Sequence, residues 1–294
     1  MKRMLLLCSL FSLSIYVCAA QSKKEKLKKM DKDYLLWKIS GKDLKSPSYI
    51  LGTIHLICPE DYIWTDAMQQ ALSASEKVAF ELDMDDPGLQ MKVALGMSEQ
   101  NGKSLKDYFS ESEYEQFSEF TQENLGASLS MFDHMKPVAL MSMISMKAVD
   151  CANPVSYEEK IMELATEADK EIVGLESAED QLRIFNEMNS DSTAKQLISS
   201  LNDWEKMKTQ YKELLSFYKK QDMEGLYKMV LDSPDFKDNL DVLLFDRNER
   251  WIPKIEDLAK AQSMFFAVGA GHLWGDKGVL HLLRNAGYKV EGVR

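Results

Sequence analysis

Two short stretches of the chain look like copies of each other, and they constrain the fold more than any other feature. The first runs from Ser48 to Leu56 (SYILGTIHL) and the second from Phe265 to Leu273 (FFAVGAGHL). Each is an apolar run that ends in Gly-x-x-His-Leu, followed by a polar break and a helical pattern. Such runs, bounded by glycine, are typical of strands buried on both faces of a mostly parallel sheet.

The two motif histidines, His55 and His272, follow the glycines that end the predicted strands. In open α/β sheets, ligands collect beyond the carboxyl ends of the strands. We therefore expect the two stretches to meet in space and their histidines to form one site. The alternative is that each histidine is a hydrogen-bonded turn residue, but the repeated context favours the shared site.

The remaining pattern predicts an α/β (α+β) fold. A strand at 34–39 and the first motif strand form a hairpin, and Pro59 opens a helix. Further strands are predicted at 77–83 and 171–175, and the chain is otherwise mostly helical from about 87 to 260. The prediction is a mostly parallel central sheet built from two strand-GxxH-helix-strand repeats, with a large helical insertion.

The N-terminus has the pattern of a signal peptide over residues 1–20, with a charged start, an apolar run and a small-residue cleavage site. This predicts an extracytoplasmic protein, periplasmic or secreted. Lipid attachment at Cys18 is the less favoured alternative because bulky residues precede it. Residues 21–32 form a basic arm predicted to be disordered, and 33–294 a single domain without a transmembrane segment.

Composition narrows the range of partners. The formal net charge of -11 argues against a nucleic-acid partner, because phosphate binding needs a basic face. The chain contains no P-loop, dinucleotide fingerprint, HExxH, Gly-x-Ser-x-Gly or zinc-type cysteine pairs. The sequence gives no indication of oligomeric state.

Two cysteines remain after the leader, Cys58 and Cys151. An even pair in an exported protein is compatible with a disulfide, which would pin the loop that carries His55 to the middle of the chain. Two buried free thiols are the alternative, and the disulfide is slightly favoured.

Two glutamates follow apolar strand patterns. Glu81 interrupts the run at 77–83, and a carboxylate inside a buried strand is costly unless it is paired or bound to a cation. It is a candidate site residue, unless the strand end is simply exposed and polar. Glu176, which stands before Ser177, fits a helix start, so capping is favoured over chemistry there.

Four segments together resemble the TraB/GumN family. They are 35–56, Gly174-Leu175-Glu176, Arg247-Asn248 and the region 268–288 with its second Gly-x-x-His. The resemblance spans nearly the whole chain after the leader. It implies a similarity to the Tiki proteins, described as metal-dependent proteases supported by Mn or Co, and to the erythromycin esterase-like and haem-binding ChaN-like fold. The polar residues shared by the family correspond to His55, His272, Glu81 and Arg247.

The resemblance implies a metal-dependent hydrolase, with a peptidase favoured and a peptide or small molecule as the expected substrate. His55, His272 and Glu81 would hold a divalent metal with positions left open for water. The resemblance implies that this metal is Mn or Co rather than Zn. Glu81 is also a candidate base. The metal would activate water and polarise the scissile carbonyl. Arg247 would stabilise the developing oxyanion, or form a surface ion pair with a neighbour such as Glu249. The alternative function is a non-catalytic protein that binds a peptide or haem in the same cleft.

Overall fold

A computed structural model of the chain describes residues 34–99, 102–233 and 239–294. The predicted signal peptide and basic arm lie outside these residues. The strands are β1 Leu36–Ser40, β2 Ser48–Thr53, β3 Leu56–Ile57, β4 Lys77–Phe80, β5 Val155–Ser156, β6 Glu171–Gly174, β7 Met264–Gly269 and β8 Lys289–Val293. The helices are α1 Asp66–Ala74, α2 Leu89–Gly96, α3 Glu111–Asn124, α4 Pro137–Met146, α5 Tyr157–Glu167, α6 Ala178–Glu187, α7 Ser190–Asn202, α8 Trp204–Lys219, α9 Met223–Asp232, α10 Asp246–Ala261 and α11 Val279–Asn285.

Six strands form the central sheet, in the order β6-β4-β7-β2-β1-β8. The four strands β6, β4, β7 and β2 run parallel, whereas β1 is antiparallel to both of its neighbours, β2 and β8. The predicted α/β class and its mostly parallel sheet are confirmed. The short strands β3 and β5 pair separately as an antiparallel ribbon.

The two motif strands, β2 and β7, are direct neighbours. They pair in parallel, with Gly52 opposite Val268 and Thr53 opposite Gly269. A Cβ at Gly52 would lie 2.8 Å from Cδ1 of Leu273 and 3.2 Å from the Cα of Ala270. Glycine is required there because the turn after β7 packs directly on the β2 backbone. Both motif loops therefore leave the sheet at the same edge.

The two repeats differ in how they return to the sheet. After the first motif, the chain passes through α1 to β4, which lies on the far side of β7. After the second motif, α11 leads to β8, which pairs with β1 at the edge of the sheet. The helix expected at Pro59 begins later, because Pro59–Asp61 form only a 3-10 turn and the Thr65 side chain caps α1.

The core follows the predicted pattern, with strands buried on both faces, such as Ile50, Phe265 and Phe266. Within the region predicted to be mostly helical, residues 178–232 form four separate helices, α6 to α9, because polar side chains such as Asn189 and Asp222 cap new helix starts. Helices α3, α4 and α7 enclose a second, smaller apolar cluster. Over the described residues, no helix is both long and apolar enough to cross a membrane.

Candidate functional site

Three of the four predicted site residues meet beyond the carboxyl ends of β4 and β7. Glu81 directly follows β4, His272 lies in the 3-10 turn after β7, and Arg247 is in the first turn of α10. Their side chains are only 17%, 5% and 9% exposed, in that order. The edge of a parallel sheet thus carries a buried group of one carboxylate, one imidazole and one guanidinium.

Arg247 is the centre of this group. Its Nη2 donates to Oε2 of Glu81 at 2.5 Å, and its Nε donates to Oε1 of Glu176 at 3.0 Å. The Glu176 side chain is 5% exposed, and Gln181 donates a hydrogen bond to it at 2.8 Å. The guanidinium therefore lies between two buried carboxylates, which satisfies its charge without solvent.

The helix start predicted at Glu176-Ser177-Ala178-Glu179 is confirmed, but the Glu176 side chain takes no part in the cap. Ser177, not Glu176, caps α6, through a capping box with Asp180. The Glu176 side chain turns toward Arg247 instead. Like Glu81, Glu176 is a carboxylate directly after an apolar strand, and this pattern makes it a candidate site residue. The helix-start pattern that follows it favours capping instead, so the sequence alone does not select Glu176.

His272 is held in one tautomer. Its Nδ1 lies 2.6 Å from Oδ1 of Asn248, an acceptor, so Nδ1 carries the proton. Asn248 is fixed in turn, because its Nδ2 donates to the backbone oxygens of His272 and Lys277. Nε2 then accepts a hydrogen bond from Nη1 of Arg247 at 3.1 Å and lies 3.9 Å from Oε1 of Glu81.

Burial decides the charge of the imidazole. It lowers the pKa of His272 to about 3, an effect that the Glu81 carboxylate opposes and Arg247 reinforces. The Trp251 ring, whose centroid lies 4.5 Å from that of the imidazole, covers one face of His272. His272 is therefore a neutral base at physiological pH.

Glu81 stays ionised although it is buried. Burial alone would raise the pKa of its carboxyl group, but the charge of Arg247 and the Gly269 N–H, which donates to Oε1 at 2.9 Å, help lower it to about 2. The charges of His272 and His55 also contribute to lowering this pKa.

His55 itself lies at the rim. Its side chain is 77% exposed, on the loop between β2 and β3, and Nδ1 is 3.6 Å from Oε1 of Glu158. That carboxylate raises the pKa of His55 and also accepts a hydrogen bond from Oγ1 of Thr53 at 2.8 Å. The structure thus brings the two motif histidines to the same edge of the sheet, one buried in the cluster and one exposed.

The loop that carries His55 is attached to the middle of the chain at several points. Leu56 pairs with Ser156 in the β3–β5 ribbon. Cys58 and Cys151 form a disulfide, with their Cα atoms 6.0 Å apart. These attachments restrict where the His55 side chain can reach.

His272 and Glu81 are side chains of the types that bind a divalent metal, but two donors alone leave most coordination positions open. His272 presents a neutral Nε2, fixed from behind by Asn248 as metal-binding histidines commonly are, and Glu81 presents an ionised oxygen 3.9 Å away. In the part of the chain that the structure describes, no three His, Cys, Asp or Glu side chains converge to hold a metal by themselves. His55 would have to turn inward to become the third ligand, and Arg247 would have to yield its contact with Nε2.

The fold and the site define an α/β protein with a charged histidine–glutamate–arginine cluster at the carboxyl edge of a mostly parallel sheet. Residues 35–292 match the TraB/PrgY/gumN family, and the chain belongs to this family. The family resemblance carried by the two Gly-x-x-His motifs is therefore confirmed.

Curated relatives are distant and longer. The chain is 24% identical to the metalloprotease TIKI2 of Danio rerio, over 89% of this chain and 61% of that protein. It is also 24% identical to the metalloprotease TIKI1 of Homo sapiens, over 83% of this chain and 59% of that protein. The chain thus spans about three-fifths of the length of these relatives. No solved structure matched the chain.

Proposed function

We propose that this chain is an exported, metal-dependent peptidase whose site is formed by His55, Glu81 and His272. The observation that carries the proposal is the meeting of a neutral, buried imidazole and an ionised carboxylate, 3.9 Å apart, at the carboxyl edge of the sheet. The names of the distant relatives, which are metalloproteases, support the same class. The signal-peptide pattern supports export.

Each residue has a distinct part in the proposed reaction. A bound divalent metal would supply Lewis acidity and an activated water. His272 offers Nε2 because Asn248 holds the proton on Nδ1, and Glu81 offers a carboxylate oxygen or accepts a proton. Imidazole and carboxylate donors without thiolates are compatible with Mn or Co.

Arg247 is suited to stabilise negative charge. Its Nε and Nη2 groups are fixed on Glu176, and its Nη1 faces His272 and the site. A guanidinium held in place costs little reorganisation when a carbonyl oxygen acquires negative charge. Glu176 keeps Arg247 in place even when Glu81 is engaged elsewhere.

The test is metal-dependent cleavage. The metal-stripped protein is incubated with a complex peptide mixture, with and without Mn(II) or Co(II), and new termini are identified by mass spectrometry. We expect new termini only with metal, and none from His272→Ala. The exposed His134→Ala variant is the matched control and should cleave as the wild type does. Equal products from wild type and His272→Ala would overturn the proposal.

A binding function without turnover is the second candidate. It is favoured by one observation: Arg247 already satisfies Glu81 and His272, so the cluster is stable as it stands. The same cleft would then capture a peptide or haem. A Soret band that forms when the wild type is mixed with haemin, but not with His55→Ala, would support haem capture. If the wild type gives no Soret band, a peptide remains as the captured ligand.

A further inference from the structure

A cavity of about 970 Å³ lies between α8 and α9, outside the cluster described above. Half-buried apolar side chains line it, Tyr211, Leu214 and Phe217 from α8 and Met229 and Val230 from α9. Its volume is within the range of ligand pockets, which are mostly lined by apolar and aromatic side chains. We name this cavity the α8–α9 groove.

The α8–α9 groove adjoins both motif loops. The Tyr211 hydroxyl donates to the backbone oxygen of Leu56 at 2.9 Å, directly beside the first motif histidine. A Cγ of Val230 lies 3.5 Å from the position of a Cβ at Gly271, directly before the second motif histidine. Tyr211 and Val230 therefore form part of the groove wall and lie next to the loops at the proposed site.

The lining of the groove suits a ligand that has apolar side chains on a polar backbone. Several charged lining residues of both signs are exposed, among them Glu213, Lys220 and Lys228. Two of the lining carboxylates are engaged locally, Asp222 with the Gly225 N–H and Glu224 with Lys228. A ligand in the groove would therefore contact apolar side chains inside and charged side chains of either sign at the edge.

We propose that the α8–α9 groove binds an extended polypeptide segment through its apolar side chains and presents the neighbouring peptide bond to the site at the motif loops. A cavity of this size accommodates several side chains of such a segment. The cleavage part of this proposal rests on the proposed peptidase function, whereas the binding part does not.

Binding is measured first, with the metal-stripped full chain so that no turnover occurs. The probe is a fluorescein-labelled peptide of about eight residues with leucines at alternate positions. The comparison peptide has serine in place of each leucine. We expect fluorescence anisotropy to show at least about tenfold tighter binding of the leucine peptide. Equal affinities for the two peptides would overturn the proposal.

Two variants place a charge inside the groove, Leu214→Glu and Met229→Glu. Each should weaken binding of the leucine peptide by about tenfold or more, because the carboxylate would be buried beside apolar side chains. Thr209→Glu adds the same charge on the exposed face of α8 and should bind as the wild type does. Folding is checked by circular dichroism. Folded groove variants with wild-type affinity would contradict the proposal.

A second measurement needs no variant. A benzophenone group placed at one leucine position should cross-link the wild-type chain within α8 or α9, as mapped by mass spectrometry. Cross-links confined to other elements would exclude the groove as the binding site.

The two proposals fail in different ways. Binding in the groove without cleavage in Mn(II) or Co(II) would support the groove and contradict the peptidase. Cleavage of the leucine peptide by the groove variants with unchanged KM would support the peptidase and contradict the groove.

Discussion

Arg247 holds the candidate site together because it is the positive charge between two buried carboxylates. Glu81 and Glu176 both accept hydrogen bonds from its guanidinium, and its Nη1 also faces His272. Removal of one partner from a buried ion pair leaves the other charge uncompensated, which costs more than the pair itself contributes. The consequence can be measured on stability, independently of any activity.

We expect Arg247→Met to lower the free energy of unfolding by about 3–5 kcal/mol, because two buried carboxylates lose their counter-charge. Urea denaturation measures the change. The matched control is Arg250→Met, which removes the same charge from an exposed position on the same helix and should alter stability by less than about 0.5 kcal/mol. If Arg247→Met lowered the free energy of unfolding as little as Arg250→Met, the charges of the cluster would not be strongly coupled.

His272 gives the protein a specific sensitivity to acid. Its pKa is lowered to about 3 in the folded state, against a usual value near 6.5, so the unfolded chain binds a proton that the folded chain does not. The contribution of His272 to the free energy of unfolding is therefore fully present above pH 6.5, and it falls as the pH drops from about 6.5 toward 3.

The expected slope from this single group is about 1.4 kcal/mol per pH unit within that window. The measurement is the free energy of unfolding as a function of pH, for wild type, His272→Gln and the exposed control His134→Gln. His272→Gln should have a shallower slope than the other two. Parallel curves for all three would show that His272 titrates normally.

At the scale of elements, the loop that carries His55 depends on attachments outside the motif. The β3–β5 ribbon, the disulfide and the Tyr211 hydroxyl all hold residues 56–58. The disulfide closes a loop across 93 positions of the chain. A cross-link over so long a segment removes much of the conformational freedom of the unfolded chain.

We expect the Cys58→Ser, Cys151→Ser variant to lose about 2–4 kcal/mol of unfolding free energy. Thermal or urea denaturation with and without dithiothreitol measures it. The reductant should destabilise the wild type toward the variant and leave the variant unchanged. An identical response of both proteins would mean that the bridge contributes little to stability.

At the scale of the whole molecule, the sheet could be predicted because its signals are local. The apolar runs of β2 and β7 end in the same Gly-x-x-His pattern, and Gly52 makes their close packing possible. Glu81 could be predicted as a candidate because a carboxylate inside an apolar run needs a partner.

Other parts of the site depend on long-range contacts that no local pattern contains. Residues 176–179 have the pattern of a helix start, and only the approach of α10 reveals Glu176 as the partner of Arg247. The difference between His55 and His272 is also non-local, because it depends on the ribbon with β5 and on Asn248. Identical motifs can therefore lead to one exposed and one buried histidine.

The central claim is that the two motif histidines and Glu81 form one metal site. The most direct test is a titration of the metal-stripped protein with Co(II), followed by calorimetry and visible absorption. We predict stoichiometric binding to the wild type and none to a folded His55→Ala, His272→Ala variant. A His134→Ala, His281→Ala variant should bind as the wild type does. Equal, weak binding by all three proteins would contradict the claim and favour ligand capture without a metal.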